Sequence, residues 1–122
     1  MSLLVFGTNM WYNADMKDKT AKKLEEMGIL TGYNGFSYMC WIIEHYDAYT
    51  VSELAMETLT AQIAKEYKVS KKAVLHNLTL LLEKSWNAGA DCALRRTFAF
   101  PNYMPTLKEF IATIIVMMEY CA

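Results

Sequence analysis

The 122-residue sequence lacks most of what a membrane, exported or catalytic protein displays. Its longest apolar run, Ile114 to Met118 in "ATIIVMME", is far below the roughly 20 residues that cross a bilayer, so no membrane partner is expected. "MSLLVFG" has neither the basic opening nor the long apolar stretch of an export signal, which makes the cytoplasm the expected address. Cys40, Cys92 and Cys121 form no C-x-x-C pair and have only His45 and His76 as companions, so buried reduced thiols are expected and no metal centre. His45 stands near Asp47 without a nucleophile in a recognisable setting, and there is no glycine-rich phosphate loop, H-E-x-x-H or G-x-S-x-G. Neither catalysis nor a cofactor is expected.

What is present fits one compact domain. Apolar residues make up 54% and charged residues 20%, the balance of a globular chain, and nine Met with sixteen aromatic residues suit a thick core. The net charge of −1 hides an asymmetry: residues 1–58 carry −4, residues 59–96 carry +4 and the rest −1. The basic third holds Lys65, Lys68, Lys71, Lys72, Lys84, Arg95 and Arg96.

The apolar spacing is helical almost throughout. "DMKDKTAKKLEEM" predicts a first helix that Gly28 stops, and "FSYMCWIIEHY" a second, buried over most of its surface. Thr50 with Glu53 fits a capping box that opens a third helical region, running on to about Tyr67 with Leu54, Leu59, Ile63 and Ala64 inward. Ser70 caps a fourth helix from about Lys71 to Trp86, stopped by "NAG". "DCALRRTFAF" reads as a short helix, Pro101 and Pro105 bracket a loop, and Thr106 with Glu109 caps a last helix striped by Leu107, Phe110, Ile111, Ile114 and Met118. The expected class is all-α: a six-helix bundle over 16–122 with a helix-turn-helix at about 59–86. Residues 1–15 form an apolar extension, an arm or a short hairpin.

The order and nearly gapless spacing of several motifs carry a family likeness. "EMGI", Gly28 and Gly35 with "GFSYM", "LTAQIAKEY", "SWNAG" and "MPTLKEFIA" together resemble the C-terminal DNA-binding effector domain of the sporulation initiation response regulator of endospore-forming bacteria, from about Leu24 to Met118. The resemblance implies six helices whose third and fourth form the helix-turn-helix, the fourth entering a major groove. It also implies a preceding receiver domain, for which the 15 to 20 residues before the first helix leave no room. The loop between "FAF" and "MPT" is about four residues shorter than in the family. The family's recognition helix carries arginines around an acidic residue, and the matching positions here are Ala73, Leu75, His76 and Thr79. Arginine owes its value on DNA to a fork that fits guanine or phosphate, and His or Thr makes at most one weaker contact.

Two readings follow. In the first, a small helix-turn-helix transcription regulator from a bacterium or a mobile element binds double-stranded DNA. Lys65, Lys68, Lys71 and Lys72 meet phosphates, His76, Asn77 and Thr79 face bases, and Arg95 and Arg96 add a backbone contact that the resemblance places near the recognition helix. In the second, the scaffold no longer reads DNA and serves as a protein interaction module or inhibitor, with Leu75 and Leu80 exposed to a host protein. A homodimer suits either reading.

Overall fold

The structure, a computed structural model, describes residues 19–88, 93–96 and 102–120. All regular structure among them is helical: α1 (19–26), α2 (Asn34–His45), α3 (Ala48–Glu53), α4 (Met56–Tyr67), α5 (Lys71–Trp86), α6 (Ala93–Arg96) and α7 (Leu107–Tyr120). The expectations for the extension at 1–15 and for Cys92 and Cys121 lie outside the described residues. Cys40 is a buried thiol, as expected.

Short-range chemistry sets most helix ends. The Gly28 φ of 96° lets the chain leave α1 in a left-handed turn, with Ile29 N–H donating to the Leu24 carbonyl and Gly28 N–H to that of Glu25. The side chains of Leu24 and Ile29, both buried, close this motif from below. At the start of α5 the Ser70 hydroxyl accepts from Ala73 N–H at 3.0 Å. At α7 the capping box is complete: Glu109 N–H donates to the Thr106 hydroxyl, while Thr106 N–H and O–H both donate to the Glu109 carboxylate. Those bonds from Thr106 hold the Glu109 carboxyl below its ordinary range.

The third helical region differs from expectation. It is two helices, so the described residues hold seven helices rather than six. Leu54 and Ala55 adopt extended backbone between α3 and α4, although neither Gly nor Pro stands there. The two pieces serve different partners: α3 packs on α7 and α4 on α5. The cap of this region also moves. Asp47, not Thr50, precedes the first turn; its carboxylate accepts from Thr50 N–H at 2.7 Å, and hydrogen bonding to the Thr50 side chain and then its backbone lowers the Asp47 pKa.

One core unites these helices, with Leu24, Met39, Ile42, Val51, Leu59, Ile63, Val74, Leu78, Leu81, Leu94, Phe110, Ile111 and Ile114 essentially inaccessible to solvent. Helix α5 runs through its middle, touching α2, α4, α6 and α7. Its contact with α2 is unusually close at Gly35, where an added Cβ would lie 2.4 Å from the Asn77 carbonyl oxygen and 2.9 Å from its carbon. A second tie is polar: the buried Ser85 hydroxyl accepts from Leu30 N–H at 3.1 Å, fastening the loop between α1 and α2 to the far half of α5. These two contacts fix the height and rotation of α5, and therefore which of its side chains face outward.

Candidate nucleic-acid interface

Helices α4 and α5 meet through a three-residue turn, Lys68 to Ser70. Lys68 takes up the left-handed conformation, φ 57° and ψ 45°, and Val69 N–H bonds back to the Ala64 carbonyl. A residue with a Cβ pays for that conformation, by about 1–2 kcal/mol, where glycine would not. Tyr67 anchors the end of α4: its ring meets Tyr38 edge-on at 4.9 Å, its hydroxyl donates to the Ser37 carbonyl, and burial pushes its phenol pKa up. Midway along α4, Gln62 accepts from the hydroxyl of Tyr46, the residue that ends α2. Helix α4 is thus tied at two points to α2 and its C-terminal cap.

The turn and the start of α5 gather the lysines predicted for phosphates. Lys65, Lys68, Lys71 and Lys72 are all exposed around this elbow. Lys71 lies 3.6 Å from Glu57 in the first turn of α4, an exposed pair that sequence reasoning did not find, since the residues stand 14 positions apart on different helices. No acidic residue occupies the first turn of α5. The positive end of that helix therefore carries two lysines, an arrangement that works against the helix dipole and favours an incoming anion.

Along α5 the inner and outer faces separate as the helical period requires. Val74, Leu78, Leu81, Leu82, Ser85 and Trp86 are buried. Lys72, Leu75, His76 and Thr79, spaced i, i+3, i+4, i+7, form one outward strip in which Leu75 keeps 46% of its surface exposed. Leu75 also borders a groove of about 330 Å³ with Met56, Thr60 and Lys71. Asn77 stands off this strip, on the flank pressed against Gly35, and its amide donates to the Ala73 carbonyl at 2.9 Å. Leu80 is half-buried and on a different side of the helix from Leu75.

Arg95 and Arg96 lie in α6, at the opposite end of α5 from the lysines. Arg95 Nε donates to the Trp86 carbonyl at 2.8 Å while its guanidinium stacks 5.1 Å from the Trp86 ring centre. That side chain closes the C-terminal end of α5, where a cation is favoured by the helix dipole. With α5 about 24 Å long, the structure does not bring the arginines together with the lysine cluster. His45 and Asp47 have local partners too: the His45 ring sits 2.8 Å from the Trp41 carbonyl and stacks on the Trp41 ring, and Asp47 caps α3. Among the described residues no group of acids, His and Cys is placed to hold a metal ion.

Two helices joined by a tight turn, with the second presenting an exposed strip flanked by lysines, define a helix-turn-helix domain of the kind that lays its second helix in a major groove. The chain belongs to the family described as sporulation initiation factor Spo0A C terminal, whose model matches residues 20–118. No curated protein matches it significantly. The family is a helical DNA-binding domain of a transcription regulator rather than an enzyme. No helix among the described residues is long and apolar enough to cross a membrane.

Proposed function

We propose that this protein is a small cytoplasmic transcription regulator, of a bacterium or a mobile element, that binds double-stranded DNA mainly through the phosphate backbone. The observation that carries this reading is the cluster of four exposed lysines, Lys65, Lys68, Lys71 and Lys72, around a helix start with no acid in its first turn. Lys71 and Lys72 would hold phosphates beside the positive end of α5, and Lys65 and Lys68 those on the approach to it. His76 and Thr79 would face the bases. Arg95 and Arg96, and the flanking Asn77, are left to secondary roles by their positions.

The test is fluorescence anisotropy of the purified protein on a random duplex pool across a salt series. Binding should weaken steeply, log K falling by about 0.9 per phosphate neutralised for each tenfold rise in salt. The double variant Lys71→Glu, Lys72→Glu should abolish it without loss of fold; unchanged affinity would sink the assignment. The half-exposed Leu75 favours a second reading, an interaction module or inhibitor that meets a host protein or another copy of the chain. That reading predicts no DNA binding even at low salt, and loss of the partner in Leu75→Asp.

A further inference from the structure

The outward strip of α5 has a chemistry that narrows the DNA it would select. Of its four residues, Lys72 belongs with the phosphate lysines, His76 offers a single polar contact per ring nitrogen, and Leu75 and Thr79 present methyl groups. No arginine stands on the strip, so the planar fork that best reads guanine is missing, and Lys72, its one cation, sits at the helix start with the phosphate lysines. Asn77, whose amide could read adenine in the same two-pronged way, is half-buried and spends that amide on the Ala73 carbonyl of its own helix. What remains for base contact is chiefly apolar: nearly half of the Leu75 surface, 46%, with the half-buried Thr79 adding the edge of its side chain one helical turn further on.

In a major groove an apolar side chain has one good partner. The 5-methyl group of thymine is the only apolar protrusion among the four base edges, whereas guanine, adenine and unmodified cytosine present acceptors, donors and a bare C–H. We propose that Leu75 and Thr79 read thymine methyl groups, so that the protein selects thymine-bearing steps in place of guanines. This rests on the DNA-binding reading and gives it a sequence class. Leu75 and Thr79 lie i, i+4 on the strip, about 6 Å apart along the helix axis, which suits methyl groups on neighbouring or next-neighbouring base pairs.

The methyl group can be removed or added without touching any hydrogen bond. The duplexes are a short alternating A·T sequence, the same sequence with deoxyuridine for thymidine, a short alternating G·C sequence, and that sequence with 5-methylcytosine. Affinities are measured by anisotropy at one low salt concentration for the wild type, Leu75→Ala and Thr79→Ser. Each methyl packed on an apolar side chain should raise affinity about fourfold. The thymidine duplex should therefore outbind its deoxyuridine counterpart, and methylated G·C should outbind the unmethylated one. Both preferences should shrink in Leu75→Ala, and by less in Thr79→Ser, which keeps the hydroxyl and loses only the methyl. Equal affinity with and without the methyl groups, in a protein that binds all four duplexes, would overturn methyl reading and leave phosphate binding standing. Binding to none of them would overturn both.

Discussion

The two faces of α5 are built to different tolerances. The inner face carries Val74, Leu78, Leu81, Leu82, Ser85 and Trp86, none more than 3% exposed, and is held by a close glycine contact from α2 and by the Ser85 hydroxyl, which accepts from a loop N–H at Leu30. The outer face carries the exposed Lys72, Leu75 and His76 and the half-buried Thr79. A helix anchored on one side can change what it shows on the other.

The largest effect that separates the faces should come from Leu78→Ala against Leu75→Ala. Emptying the fully buried Leu78 should cost about 2–5 kcal/mol, whereas truncating the exposed Leu75 should stay within about 0.5 kcal/mol. Urea unfolding of both variants decides it, and equal losses would mean that the outer face is structural after all. Next comes Gly35→Ala, which drives a methyl group into the backbone of α5 at Asn77. Overpacking of this kind should destabilise by about 1–3 kcal/mol, more than the helix propensity of alanine returns, and DNA affinity should fall because the whole strip is displaced. Wild-type stability in this variant would show that the two helices can part at no cost.

The smallest effect belongs to the outer side alone. Glu57→Gln removes the acid beside Lys71, an exposed pair worth little to folding. Stability should therefore change by less than about 0.5 kcal/mol, while DNA affinity rises roughly two- to fivefold as Lys71 becomes available to phosphate. A thermal melt and a salt-matched anisotropy titration check both halves. Unchanged or weaker binding would mean that Lys71 is not at the interface.

Much of this is legible in the sequence because it depends on neighbours in the chain. The span of α5, its Ser70 cap, the Thr106–Glu109 box and the stop at Gly28 are all local rules, and the inward set on α5 follows from the helical period alone. The break at Leu54 and Ala55 is not legible, since no residue there breaks helices and the partners of the two pieces, α7 and α5, are remote in sequence. Asp47 displaced Thr50 as the cap because the helix begins earlier than the spacing of Thr50 and Glu53 suggests. In the site, the lysine cluster was visible in the charge distribution. The close approach of Gly35 to the Asn77 backbone, the tie between Arg95 and Trp86 and the approach of Glu57 to Lys71 are tertiary, and composition holds no trace of them.

The left-handed lysine in the turn has a consequence for anyone who would engineer the domain. Lys68 occupies a backbone position that glycine fills without strain, so a search for thermostability would choose Lys68→Gly. The gain would be bought with one of the four charges at the elbow. Selection for heat resistance and selection for grip on a polyanion therefore pull this single position in opposite directions, and the hardiest version of the protein is not the one that holds DNA most tightly.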